Sequence, residues 1–230
     1  MATATANPWA GYWQGLPAGH FLFPAEGRRV ARTLAATFDL AGARVLDYGS
    51  GYRLVARELA PHVGELWTWE PAEAVRRVAG DYLRGVPVRP FDPERDAGPF
   101  DLILVNSVVQ YMTPGELAGL AAKAAGWLAP GGRLVLGDLV PPGLPLASDL
   151  VSLLGFSLRH SYLVSALRRS WAARRQHAAA ERAAPMYRPT DAEMGALAAA
   201  SGLTLAWLPR NLTHFRRRRT AVLTKPEATA

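Results

Sequence analysis

The chain of 230 residues contains no cysteine. That excludes a disulfide framework and thiolate metal or nucleophile chemistry, and leaves the redox compartment open. Lysine is scarce as well: of 26 basic residues only Lys123 and Lys225 are lysines, and the rest are arginines. Set against 19 acidic residues, they give a formal charge of +7, a field that favours anionic partners. An arginine- and alanine-rich composition is also what a GC-rich genome produces, and no appended nucleic-acid-binding module is visible, so nucleic acid is disfavoured as a partner. The start has no basic stretch followed by an apolar run, does not read as a secretory signal, and leaves the cytoplasm as the default expectation. The longest apolar stretch, Leu144 to Val164, is broken by Asp149, Arg159 and His160 and falls short of a continuous spanning segment. The five histidines lack the spacing of metal ligands, so no metal site is expected.

Half of the residues are hydrophobic and a fifth are charged, the balance of a globular protein of one domain. From Ala41 onward, short apolar runs alternate with helical repeats, which predicts strands joined by crossover helices and a largely parallel sheet. Strands are predicted at Arg44 to Asp47, Glu65 to Glu70, Val86 to Arg89, Asp101 to Asn106, Gly132 to Asp138, Leu203 to Leu208 and Thr220 to Thr224. Leu117, Leu120, Ala121, Ala124 and Leu128 recur at helical spacing; Thr113 and Glu116 form a capping box in front of them, and Pro130-Gly131-Gly132 stops the helix. Thr190 and Glu193 repeat the box before a helix that Gly202 closes. Residues 1–40 are read as an N-terminal cap and 41–230 as the main domain, with a basic helical insert at about 143–185. Trp67 and Trp69 share one strand face and are read as packing residues, and Arg216 to Arg219 as a solvated turn.

The chemistry is expected at Arg44-Val45-Leu46-Asp47-Tyr48-Gly49-Ser50-Gly51, a hydrophobic strand ending in an acid and two glycines, with a helical segment directly behind. Without side chains, Gly49 and Gly51 let a nucleotide-like ligand lie against the turn. Glu70 ends the second strand and brings a carboxylate beside the tip of the first, where it can accept hydrogen bonds from two ribose hydroxyls. Asp92 follows the third strand in Asp92-Pro93-Glu94-Arg95, which also suits an ordinary turn.

Together with Phe100-Asp101-Leu102-Ile103 and Leu128-Ala129-Pro130-Gly131-Gly132-Arg133-Leu134, this arrangement resembles the class I methyltransferases from about Arg44 to Pro141. The resemblance implies a three-layer, Rossmann-like α/β sandwich: a mostly parallel seven-stranded sheet, an antiparallel last strand and a helical insert after strand five. It implies S-adenosyl-L-methionine as cofactor and Asp47, Gly49, Gly51, Glu70, Asp92, Asn106 and Gln110 as cofactor-binding residues, with Gln110 and Tyr111 beside the transferring methyl. The family motif has a third glycine where Arg53 stands; Arg53 then either turns outward or pairs with the methionine carboxylate of the donor. A dinucleotide reading is weaker, because Leu54 occupies the third position of a G-x-G-x-x-G turn.

Methyl transfer needs alignment more than catalytic groups, so the base is left open among Tyr111, His20, His160 and His214. Tyr12 and Trp13 are candidates to close over the donor, and the insert is expected to shape a pocket for a small-molecule acceptor. Three alternatives stand beside this reading: a degenerate methyltransferase fold kept as a binding module, an RNA-directed enzyme, and a lipid-directed one whose insert makes a weak membrane-surface contact. Either a monomer or a homodimer fits the sequence.

Overall fold

Runs such as Leu102-Ile103-Leu104-Val105 are apolar without alternation, the pattern of a strand covered on both faces. A computed structural model describes residues 9, 11, 13, 24–96, 98–160, 181–182 and 184–228, and there the run lies at the centre of a three-layer sandwich. The elements follow in the order α1 (Pro24–Thr37), β1 (Arg44–Tyr48), α2 (Leu54–Leu59), β2 (Glu65–Trp69), α3 (Glu73–Tyr82), β3 (Arg89–Pro90) and β4 (Phe100–Asn106). Next come α4 (Pro114–Trp127), β5 (Leu128–Leu139), α5 (Leu146–Arg159), α6 (Asp191–Ala200), β6 (Thr204–Trp207) and β7 (Arg219–Thr224). The seven strands form one sheet in the order β3-β2-β1-β4-β5-β7-β6, in which β7 runs antiparallel to both of its neighbours.

Successive strand residues point to opposite faces and so feed two cores. Leu46, Ile103, Leu134, Leu136 and Leu223 bury on the side of α4 and α6, against Leu117, Leu120, Met194 and Ala198. Val45, Leu102, Leu104, Val135 and Val222 bury on the other side, against Val30, Ala31 and Leu34 of α1 and Ala56 and Leu59 of α2. Helix α1, part of the expected cap, thus packs directly on the sheet. Gly27 permits its close approach to α2, because a Cβ there would lie 2.6 Å from the Leu54 carbonyl oxygen.

Both capping boxes form, at Thr113 with Glu116 and at Thr190 with Glu193, with Pro114 in the first turn of α4. Helix α6 ends as expected at Gly202, whose φ is +66°. Leu203 N–H donates to Ala198 O and Gly202 N–H to Ala199 O, the pair of bonds of a Schellman stop.

Two strands start more than one residue away from the predicted positions. β3 is the two-residue strand Arg89–Pro90 rather than Val86 to Arg89, because Pro87 and Pro90 have no N–H for a ladder and Val86 and Val88 turn back on Leu83 and Val86. β5 begins at Leu128, ahead of Pro130-Gly131-Gly132. That segment is held to the sheet from both sides: Leu128 pairs with Phe100, Gly131 N–H donates to Lys225 O, and Lys225 N–H donates to Gly132 O. Among the described residues, no helix is long and apolar enough to cross a membrane. His20, Tyr12 and the stretch 161–180 of the insert lie outside the described residues.

Candidate active site

Parallel pairing of β1 with β2 puts Asp47 opposite Thr68 and Tyr48 opposite Trp69, so the two chains leave the sheet side by side. The Trp69 carbonyl accepts hydrogen bonds from the N–H groups of Gly49 (2.8 Å) and Ser50 (3.0 Å) and fixes the turn. Gly49 has φ +76°, and a Cβ on it would lie 2.7 Å from a Val108 methyl, so glycine here serves both conformation and close packing. Gly51 has φ +54°, and a Cβ on it would meet nothing within 4 Å, which leaves open space over this part of the turn.

Glu70, directly after β2, folds its carboxylate onto that turn. One oxygen accepts from Gly51 N–H and the other from Ala72 N–H, each at 2.9 Å. Each oxygen therefore keeps a lone pair for a ligand donor. Asp47 is 3 % exposed, and its Oδ2 is buried without a hydrogen-bond partner. Burial first, and then the neighbouring Glu70 charge, push its pKa up to about 7, while Arg53 works in the opposite direction. Arg53 holds φ +58° at the N-cap of α2, so it takes the left-handed conformation at the place where the family motif has glycine. Its Nε is buried without a partner, and the charges of Glu70 and Asp47 act on it from nearby. The guanidinium makes no ion pair with either acid among the described residues.

The segment after β4 supplies the second wall. Gln110 is buried, donates from Nε2 to Ser107 O at 3.0 Å, and leaves Oε1 without a partner. Tyr111 beside it is buried, which raises its pKa, with Arg218 acting against that shift. Trp9 and Trp13 pack on Tyr111 at centroid distances of 4.9 and 5.1 Å. Trp13 also touches the cluster of Tyr52, Ala72 and Val75, so it bridges the glycine turn and the segment after β4. Trp9 is tied down by Nε1 donating to Ala184 O at 3.1 Å.

Asp47, Gly49, Gly51 and Glu70 thus gather at one point, with Gln110 and Tyr111 joined to it through Trp13. Asn106 faces β5: its Nδ2 donates to Ser107 Oγ and its Oδ1 lies against Gly137. Asp92 sits in an exposed turn, where its Oδ1 accepts from Glu94 N–H and its carboxylate lies 3.7 Å from Arg95 Nε. His160 and His214 both pack on Phe156, and His214 Nδ1 lies 2.8 Å from Glu26 Oε2. Trp69 stacks on Tyr48 at 4.2 Å, and Trp67 packs edge-on against Phe91 and Phe100.

The sequence reading missed a buried polar cluster at the end of β5. Asp138, with φ +64°, accepts from Ser107 Oγ, Asn211 Nδ2, Thr213 Oγ1 and Arg218 Nη1. Arg218 reaches on to Asp149 of α5 at 2.8 Å and lies 4.0 Å over the Phe215 ring. Burial alone would lower the Arg218 pKa, but Asp138 and Asp149 outweigh it and hold the pKa above its ordinary value. The run Arg216 to Arg219 is therefore not simply a solvated turn. Arg218 is pulled inward by two carboxylates, while Arg219 lies over Trp207 and pairs with Asp191. The one available signal was Gly137-Asp138, an acid ending a buried strand as Asp47 does.

A strand order of 3-2-1-4-5-7-6 with an antiparallel β7 and a glycine turn after β1 is the fold of class I, S-adenosylmethionine-dependent methyltransferases. The model of the family described as "Methyltransferase domain" matches residues 19–206, and the chain belongs to that family. It is similar in fold to magnesium protoporphyrin IX methyltransferase from Synechocystis PCC 6803, solved with S-adenosylhomocysteine, at TM-score 0.59 and 15% identity, over 95% of this chain and 92% of that one. It is also similar to an O-methyltransferase family 2 protein from Planctomyces limnophilus solved with apigenin, at TM-score 0.56 and 20% identity, over 86% of this chain and 56% of the other. In sequence, 111 residues are 36% identical to a probable non-canonical nonribosomal peptide synthetase from Salinispora arenicola. That match takes in 44% of this chain and spans about 1% of the synthetase.

Proposed function

We propose that the chain transfers a methyl group from S-adenosylmethionine to a small-molecule acceptor, with the donor held on the Asp47–Arg53 turn by Glu70. The observation that carries this reading is the Glu70 carboxylate. It is anchored by Gly51 and Ala72 N–H, keeps free lone pairs, and borders open space over Gly51. The residues present fit the nucleoside of the donor, because a rigid carboxylate beside a side-chain-free turn suits two adjacent ribose hydroxyls. They also fit its amino-acid end: Asp47 Oδ2, Ser50 Oγ and Arg53 Nε are buried polar atoms without partners, and such atoms cost stability unless a ligand satisfies them.

When bound, the donor supplies a methyl group on a positively charged sulfur, which is already a good leaving group. The protein's share is to align the acceptor and exclude water. Trp9, Trp13 and Tyr111 form an aromatic cover that serves both ends. Gln110, held by its bond to Ser107 O, has one free amide oxygen to orient a donor or acceptor group. Arg53, whose charge opposes but does not cancel the upward shift of the Asp47 pKa, is the partner for the donor's carboxylate. The small-molecule character of the acceptor is supported by relatives of this fold named for a porphyrin substrate or solved with a flavone.

Isothermal titration with S-adenosylhomocysteine tests the donor site. Saturable binding is expected, and Glu70→Gln should weaken it about ten- to hundredfold, the worth of one or two charge-assisted hydrogen bonds. Absence of binding at near-millimolar ligand would refute the reading.

A further inference from the structure

A groove of about 1130 Å³ runs between α1 and α5, and among the described residues its lining carries six arginines and no carboxylate. Arg28, Arg29 and Arg32 line one wall from the exposed face of α1, whose opposite face is buried in the core. Arg159 stands on the facing wall, and Arg210 and Arg216 close the end after β6. Three acids near the groove, among the described residues, are already engaged. Glu26 binds His214, Asp149 binds Arg218, and Glu58 lies 3.8 Å from Arg28. Arg32, Arg159, Arg210 and Arg216 have no carboxylate partner among the described residues. Six like charges around one groove repel each other, and a bound polyanion removes that repulsion. Guanidinium groups in particular match phosphate oxygens in forked pairs.

A second observation narrows the ligand. Val151, Leu154 and Leu158 are 69, 41 and 66 % exposed, and they are the exposed large hydrophobic residues among those described. Their spacing of three and four residues places them on one face of α5, and Val151 also lines the groove. An apolar stripe beside a basic groove suits an amphiphile with a phosphate at its head and hydrocarbon behind it. A free phosphate or a nucleic acid makes no use of the stripe.

We propose that the α1–α5 groove is a second ligand site, separate from the glycine turn. It binds the phosphate headgroup of an anionic phospholipid while the stripe of α5 enters the lipid interface. The shared chemistry is a phosphate group, and the lipid source is what the stripe selects. Vesicle binding needs no methyl donor, so its result and that of the donor titration are read separately.

The test is co-sedimentation of the full chain with vesicles of phosphatidylcholine alone and of phosphatidylcholine with roughly a third phosphatidylglycerol. The expected result is binding to the anionic vesicles that weakens with salt, and little to the neutral ones. Arg32→Glu with Arg210→Glu should lower the partition at least about tenfold, since each arginine contributes about fivefold near such a surface. Leu158→Ser, at an exposed position, should lower it several-fold. Circular dichroism and S-adenosylhomocysteine binding of each variant check that the fold is kept. No binding to anionic vesicles, or equal binding to neutral ones, would overturn the proposal. So would complete competition by inorganic phosphate with no effect of Leu158→Ser, which would make the groove a free-phosphate site. Tighter binding of single-stranded RNA than of anionic vesicles would equally overturn it.

Discussion

At the scale of single residues, the end of β1 and the turn after it keep two features that an inert turn would not need. Asp47 is a carboxylate in a buried position with its pKa raised to about 7. Its ordinary value is near 3.8, so between these two values the folded state holds a proton that the unfolded chain releases. Stability from this group is then fully present below about pH 4 and is lost as pH rises through about 7. Asp47→Asn should therefore stabilise the ligand-free protein by on the order of 4 kcal/mol near pH 8 and hardly at all near pH 4. Denaturant titrations at the two pH values check this. The same variant should bind S-adenosylhomocysteine at least about tenfold more weakly, the exchange of stability for function expected at a ligand site. Arg53 is the second feature, a non-glycine residue at φ +58°. Arg53→Gly should relieve about 1 kcal/mol of backbone strain. It should also weaken S-adenosylhomocysteine about tenfold while leaving the affinity for adenosine, which has no carboxylate, unchanged. Equal losses for both ligands would mean that Arg53 acts only through the turn.

At the scale of elements, the Asp138 cluster joins four parts of the chain: the end of β5, the segment after β4, the connection between β6 and β7, and helix α5. A buried arginine between two carboxylates adds little net stability over an apolar replacement of the whole set, but removing one partner strands the others. Arg218→Met should cost about 3–5 kcal/mol in denaturant unfolding, and adding Asp138→Asn should recover part of it. If Arg218→Met costs under about 1 kcal/mol, the pairs are solvated rather than structural. Elements whose ends are written in local chemistry were legible in advance. Thr113 and Thr190 accept from residues three further on, and Gly202 supplies the left-handed stop. The start of β5 was not legible, since Pro130-Gly131-Gly132 reads locally as a stop and is drawn into the sheet by Phe100 and Lys225.

At the scale of the whole molecule, sequence-distant pairs build both candidate sites. Trp9 reaches Ala184, and Glu26 reaches His214. The turn proposed for the donor lies mostly within one strand-turn-helix unit and its neighbouring strand. That Asp47, Gly49, Gly51 and Glu70 come together could therefore be read from spacing, because parallel β1 and β2 must end side by side. The arginine groove joins residues 25 to 216, and along the chain its members read as unrelated surface charges. Spacing did not indicate that the Asn106 side chain lies against Gly137 of β5 or that Asp92 sits in an exposed turn. What the order of amino acids determined alone was the alternation of strand and helix, the caps, and the acid-glycine turn, since each depends on neighbours within a few residues. What tertiary structure alone decided was which arginines meet carboxylates and which face each other across an open groove. Ion pairing depends on distances through space that no spacing along the chain encodes.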